Sequence, residues 1–191
     1  MTRSIIITAI ACFLAVIWLP AAFAADAVKI DTKTDQALDS LLSKNTKAAE
    51  FFEEAVAVLV FPSITKGGFI IAGQHGNGAL RLLHIKDGAS TAYYKSVAVS
   101  YGLQAGVQQF SYALFFMEED ALNYLNKTDG WEIGGAPSLV IVDAGVATAL
   151  TTTTAKKDIY AFFFNQKGLM AGLGLQGTKI TRIYPDGTPD E

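Results

Sequence analysis

The sequence predicts an α+β fold: a strongly curved, mainly antiparallel β-sheet, or a small β-barrel, with an N-terminal amphipathic helix packed on it. Three observations lead there. Apolar residues recur at helical spacing between Asp35 and Ala55, bulky and small residues alternate in the β-rich run from Tyr93 to about Phe116, and glycine-bearing turn signals separate the apolar runs.

Residues 1–24 read as a secretory signal peptide outside that fold. Arg3 supplies the positive start, Ile5 to Leu19 is apolar except for Thr8, and Pro20 precedes a small-x-small site at Ala22-Phe23-Ala24. The apolar run is short for a membrane span. The competing readings are an uncut membrane anchor and a lipoprotein leader using Cys12. Cleavage after Ala24 leaves a chain without cysteine, so no disulfide staples it, and a periplasmic or secreted location is expected. Losing Arg3 takes 15 basic residues to 14 against 18 acidic ones, a net charge of −4. That balance argues against nucleic acid and gives little long-range attraction to an anionic membrane surface. A chain of this length buries about 70% of its unfolded surface, enough for one domain.

Residues 25–34 are polar and read as a linker, residues 35–184 as the domain, and residues 185–191 as a flexible tail. In the helix, Ala37, Leu38, Leu41, Leu42, Ala48, Phe51, Phe52 and Ala55 share one side. Asp35, Asp39, Lys44, Lys47, Glu50 and Glu53 share the other, and Thr34 or Asp35 suits the cap. Strands follow at 56–61, 69–74 and 79–85, with Pro62 stopping the first and His75-Gly76-Asn77-Gly78 turning between the others. Lys86-Asp87-Gly88 marks a hairpin turn. After the long run to Phe116, residues 117–127 form a short helix opened by acids. Further strands are expected at 130–133, 138–150, 158–165 and 169–183, with a turn at Asn165-Gln166-Lys167-Gly168.

The glycine-rich stretch "GGFIIAGQHGNGAL", residues 67–80, raises the question of a phosphate loop. No Gly-x4-Gly-Lys-Ser/Thr string occurs. Gly172-Leu173-Gly174-Leu175-Gln176-Gly177 spells a dinucleotide pattern, yet strand-like Thr178-Lys179-Ile180-Thr181 follows where a helix is required. Alternation supports a sheet instead. Tyr93, Val97, Val99, Tyr101, Leu103 and Val107 form a bulky face, and Ser96, Ala98, Ser100, Gly102 and Gly106 a bare one. Leu169, Leu173 and Leu175 against Gly172 and Gly174 repeat the split. Such strands bend sharply or admit another backbone closely.

The stretches Ala57 to Leu80, Ser100 to Met117 ("SYGLQAGVQQFSYALFFM") and Tyr160 to Ile180 ("YAFFFNQKGLMAGLGLQGTKI") resemble the lipid-binding SYLF-domain family, also labelled by its yeast actin-binding members. The likeness runs from about Lys47 to Ile183, with the three blocks in family order. It implies a compact domain associated with lipid binding, and in eukaryotic members phosphoinositide and actin roles. The chain departs at Thr91-Ala92-Tyr93-Tyr94-Lys95, where the family has aromatic-Ser-x-Pro. It departs again at Ser111-Tyr112, where an Asp is common, and it has no basic N-terminal membrane helix. Actin is not an expected partner for an exported chain of bacterial type.

Nothing in the sequence calls for catalysis, a cofactor or a metal. His75 and His84 are the two histidines and neither has a ligand-spaced partner. No Gly-x-Ser-x-Gly elbow occurs, and Glu118, Glu119 and Asp120 suit a helix start. The expectation is a non-catalytic, exported cell-envelope protein that binds lipid or a fatty acyl chain. The alternative is a protein-interaction module supporting envelope assembly. Candidate acyl walls are Phe110, Phe115, Phe116, Phe162 and Phe164; Lys66, Arg81 and Lys95 are candidates for a headgroup or carboxylate. Cleavage between Ala24 and Ala25 is the first prediction. The intact mass of the exported protein checks it: a chain beginning at Ala25 is expected, and a lipid-bearing Cys12 or an uncut chain would overturn it.

Overall fold

A computed structural model describes residues 19–83, 90–127, 131–133, 137–142, 158–168, 175 and 177–185. Two strands of unusual length organise the sheet: β1 (Ala57–Leu82, 26 residues) and β2 (Ser90–Phe116, 27 residues). Ahead of them stand α1 (Leu19–Lys44) and α2 (Thr46–Glu54). After them come α3 (Glu119–Lys127), β3 (Trp131–Glu132), β4 (Leu139–Val142), β5 (Ile159–Gly168) and β6 (Lys179–Ile183). This is the α+β class expected, and its curled sheet forms a half-barrel.

At roughly 3.3 Å per residue a strand as long as β1 would span about 85 Å if straight. It bends instead. β1 and β2 pair antiparallel from Ala57↔Phe116 to Arg81↔Ser90, with irregularities at Phe61/Ile64, Phe69/Ile71 and Leu80/Arg81. The paired ribbon doubles back, and Leu83 N, just past its end, donates to Val56 O, just before its start, at 3.0 Å. Where the two legs of β1 meet, backbone lies on backbone. A Cβ at Gly78 would overlap the Val60 carbonyl and stand 2.8 Å from a Phe61 ring carbon, and one at Gly76 would overlap the Ser63 carbonyl. β6 pairs with β2 at Tyr93–Val97 and β5 pairs with it at Gln108–Phe116. β3 flanks β6, and β4 joins β5 in parallel.

The period of two divides the packing into two cores. Leu59, Phe61, Ile64, Phe110, Tyr112, Leu114, Phe116, Trp131 and Ile180 fill the inside of the curl. Val58, Val60, Phe115, Tyr160 and Phe162 face outward, where Leu38, Leu41, Ala48 and Phe51 of the two N-terminal helices cover them. The Phe51 ring lies 4.5 Å from that of Tyr160 and 5.9 Å from that of Phe162. Full burial of such a side chain contributes about 1.5–3 kcal/mol.

Several expectations change. Residues 26–34, read as a linker, are helical and belong to α1, with Thr34 fully buried. Their polar composition hides a long-range anchor: Asp31, with Asp35 one turn on, binds Arg81. The helix expected over 35–55 is two helices, because Asn45 caps α2 by accepting from Ala48 N at 3.0 Å while its own N–H closes α1 on Leu41 O. Pro62 and residues 75–78 do not end strands. Pro62 sits at a bulge, where its missing N–H costs no ladder bond, and residues 75–78 run inside β1. Residues 165–168 are the end of β5, with Asn165 at φ 53°. The features expected at residues 1–18, at His84, at the Lys86-Asp87-Gly88 turn and at 143–154, 169–174 and 186–191 lie outside the described residues.

Two tyrosine hydroxyls end inside the fold. Tyr112 donates to Ser96 Oγ at 2.8 Å, and Tyr94 donates to Asn126 Oδ1 at 3.0 Å. Burial pushes Tyr112 well above the ordinary tyrosine range, only partly offset by Ser96. Burial raises Tyr94 to about 12, with the Arg182 charge pulling the other way.

Two predictions follow from this packing. Gly78→Val lacks room and should cost about 1–3 kcal/mol or more. Gly73→Ala, whose Cβ would meet nothing within 4 Å, should stay within about 0.5 kcal/mol. The Gly106 position is also open, so its constraint is not the crowded face suggested by the alternation but its φ of 135°. Urea denaturation decides the comparison, and equal midpoints for Gly78→Val and wild type would refute the fold-back contact. The tyrosines set an alkaline limit. The folded chain keeps their protons above the unfolded value near 10, so their contribution is complete below about pH 10 and is lost as pH rises through about 12. Urea midpoints should fall across that window and fall less in Tyr112→Phe; equal slopes would contradict the assignment.

Candidate functional site

The bend of the β1–β2 ribbon is the most unusual surface of the molecule. Gly68 lies against the Ile71 backbone, Ile70 takes φ 66°, and the ladder skips a residue between Phe69 and Ile71. The ribbon therefore turns its outer face to solvent at this point. Phe69 is 75% exposed, Ile71 57%, Val99 72%, Tyr101 81% and Val107 65%. Ile71 pairs with Tyr101, Gly73 with Val99 and Gly67 with Val107, so these side chains gather on one continuous strip. A contiguous apolar surface of this kind marks an interaction site more often than a bare surface does.

The eight residues singled out from sequence do not assemble into one site. Phe115 and Phe116 are adjacent in a strand and so point to opposite faces. Phe115 and Phe162 pack under the helices at 5.1 Å between rings, with Phe164 half-buried beside them. Phe110 and Phe116 lie inside the curl, where Phe110 packs 5.7 Å from Phe163. Together these phenylalanines are core, divided by the sheet, and they do not wall a common pocket. Arg81 is 6% exposed and occupied: its NH1 donates to Asp31 Oδ1 at 3.1 Å and its NH2 to Asp35 Oδ1 at 2.7 Å. Tyr93 OH donates to Asp31 Oδ2 at 2.9 Å, fastening α1 to both strands of the ribbon. Arg81 is thus a structural clamp whose guanidinium is already paired within the chain. Lys66 faces inward at 8% exposure, and Lys95 is exposed.

Lys95 borders an open cleft of about 620 Å³ between α1 and the ribbon, shared with Lys29, Lys33, His75, Asn77 and Tyr184. A second open cleft of about 460 Å³ is bordered by Gln36, Ser40, Phe110, Asn165 and Lys167. Both have mixed linings suited to solvent and polar groups. Among the described residues no group of three or more His, Cys, Asp or Glu is placed to hold a metal ion. His75, expected in a turn, stands on the exposed face of β1.

Sequence reasoning did not single out the exposed strip, although its residues were visible as the bulky half of an alternation. The period of two reveals two faces without saying which meets water.

Residues 97–184 match the family described as "Ysc84: Las17-binding protein actin regulator". The matched segment begins within the exposed part of β2 and ends just after β6. No curated protein matches the chain. The matched family is one of binding domains. Over residues 97–184 the chain is thus similar to the Ysc84, or SYLF-domain, family.

Proposed function

We propose that this is an exported, non-catalytic lipid-binding protein of the cell envelope, which meets lipid through the ribbon bend. The observation that carries this reading is the strip formed by Phe69, Ile71, Val99, Tyr101 and Val107, strongly exposed on the paired ribbon. The SYLF family's association with lipid supports it. The leader of residues 1–24 supports export. Among the described residues no helix is long and apolar enough to cross a membrane.

The magnitudes suit a reversible contact. Full burial of a large apolar side chain contributes about 1.5–3 kcal/mol, so five side chains at half that depth contribute about 4–7 kcal/mol. Before the costs of association, this corresponds to dissociation constants from about 1 mM to 10 μM. Long-range charge adds little, because the mature chain carries −4 and Arg81 is neutralised internally.

Binding of neutral phosphatidylcholine vesicles to the exported protein tests the reading. Phe69→Ser combined with Tyr101→Ser should weaken binding at least tenfold while leaving the urea midpoint within about 0.5 kcal/mol of wild type. Affinity for single-chain lipids should rise with chain length and change less than about threefold between low and moderate salt. Binding that ignores the double substitution and collapses with salt would move the site to Lys29, Lys33 and Lys95. No vesicle binding, together with a co-purifying protein bound at the strip, would favour the interaction-module reading.

A further inference from the structure

We infer that Lys66 and Gln108, side by side on the inner face of the ribbon, form a binding site for the oxyanion head of a single-chain lipid. The two are direct cross-strand partners, so their side chains leave the same face with Cβ atoms about 5 Å apart. The next pair along the ladder on this face, Ile64 with Phe110, belongs to the inner core. Lys66 is 8% exposed and Gln108 fully buried.

Neither has a partner among the described residues. Both amide atoms of Gln108 are buried without a hydrogen bond, and Lys66 takes part in no ion pair or hydrogen bond. Most other buried polar side chains are satisfied: Arg81 by Asp31 and Asp35, Gln74 by Thr178, Ser96 by Tyr112 and Ser111 by the Pro62 carbonyl. Thr34 Oγ1 and Trp131 Nε1 also lack a bond, but they stand singly on α1 and β3. A nearly buried cation beside an empty buried amide is an expensive arrangement unless something answers both.

One oxyanion does so. An ammonium and an amide NH₂ offer two donors to the two oxygens of a carboxylate, or to two oxygens of a phosphate monoester, and the anion supplies the missing counter-charge. Toward the bend the next pair on this face is Gly68 with Gly106, so no side chain follows the pair there, and at Gly106 one would meet nothing within 4 Å. Val107 and Phe69 project to the opposite, outer face, so a chain attached to the head reaches the apolar strip by rounding the bend past the side-chain-free Gly68–Gly106 pair. This inference rests on the lipid-binding reading and adds a head-group site to it.

Calorimetric titration of the full exported chain with dodecanoate, dodecyl phosphate and dodecanol, each below its micelle concentration, tests the assignment. At least one of the two anions should bind tenfold or more tightly than dodecanol, and the tighter anion identifies the head. Lys66→Met and Gln108→Leu should each abolish that preference while changing dodecanol affinity less than threefold. Thermal unfolding of both variants should match or exceed that of wild type, since each replaces an unsatisfied polar group by an apolar one of similar volume. The preference should survive moderate salt, because a buried charge contact is weakly screened. Equal affinity for all three ligands, or a preference untouched by both substitutions, would overturn the site and leave lipid binding standing. Inorganic phosphate binding as tightly as dodecyl phosphate would reassign the pair to a free anion and overturn the lipid-head assignment. No binding of any of the three would overturn both readings.

Discussion

The structure depends on a contact between backbones. β1 can double back only because Gly76 and Gly78 present no side chain where the carbonyls of Ser63 and Val60 arrive. β2 must follow, since it is laddered to β1 over nearly its whole length. One strand then offers β5 and β6 places on different legs, and the space between the legs becomes the inner core. The same bend throws the strip around Phe69 and Tyr101 outward, so core and candidate surface have one cause.

Much of this could be read from residue patterns. The helical spacing of Leu38, Leu41, Phe51 and Phe52 and the acids that open α3 are local signals, and local signals survived folding. Signals with two meanings did not. Pro62 and His75-Gly76-Asn77-Gly78 have the composition of turns, yet a bulge and a close approach demand the same residues as a turn does. Asp31 reads as linker because its partner, Arg81, comes 50 residues later. The phenylalanine wall failed for a geometric reason, since Phe115 and Phe116 cannot line one cavity from one strand. The exposed strip stayed hidden because Val97, Val99 and Tyr101 would show the same alternation with either face turned to water.

The family match covers only part of this arrangement. Residues 97–184 include the outer portion of β2 together with β5 and β6, whereas β1 and both N-terminal helices precede them. The matched segment nevertheless depends on what lies outside it. Without β1, β2 loses the partner that bends it, and Phe115 and Phe162 lose the cover of Phe51 and Phe52. Cations are also withdrawn from much of the ribbon surface, with Arg81 clamped and Lys66 turned inward. That leaves the outer face of the bend chiefly to apolar groups.

The clamp between α1 and Arg81 has a kinetic meaning. Asp31 and Asp35 come early in the chain, but their seat exists only after β1 has formed and its far end has returned to its beginning. The contact therefore closes a long loop, and loop closure of that kind is entropically late. The β1–β2 ribbon, by contrast, zips outward from a short connection, each new pair next to one already made. It follows that α1, although synthesised before the ribbon, is among the last elements to dock. Through much of folding the N-terminal segment therefore remains an untethered lead.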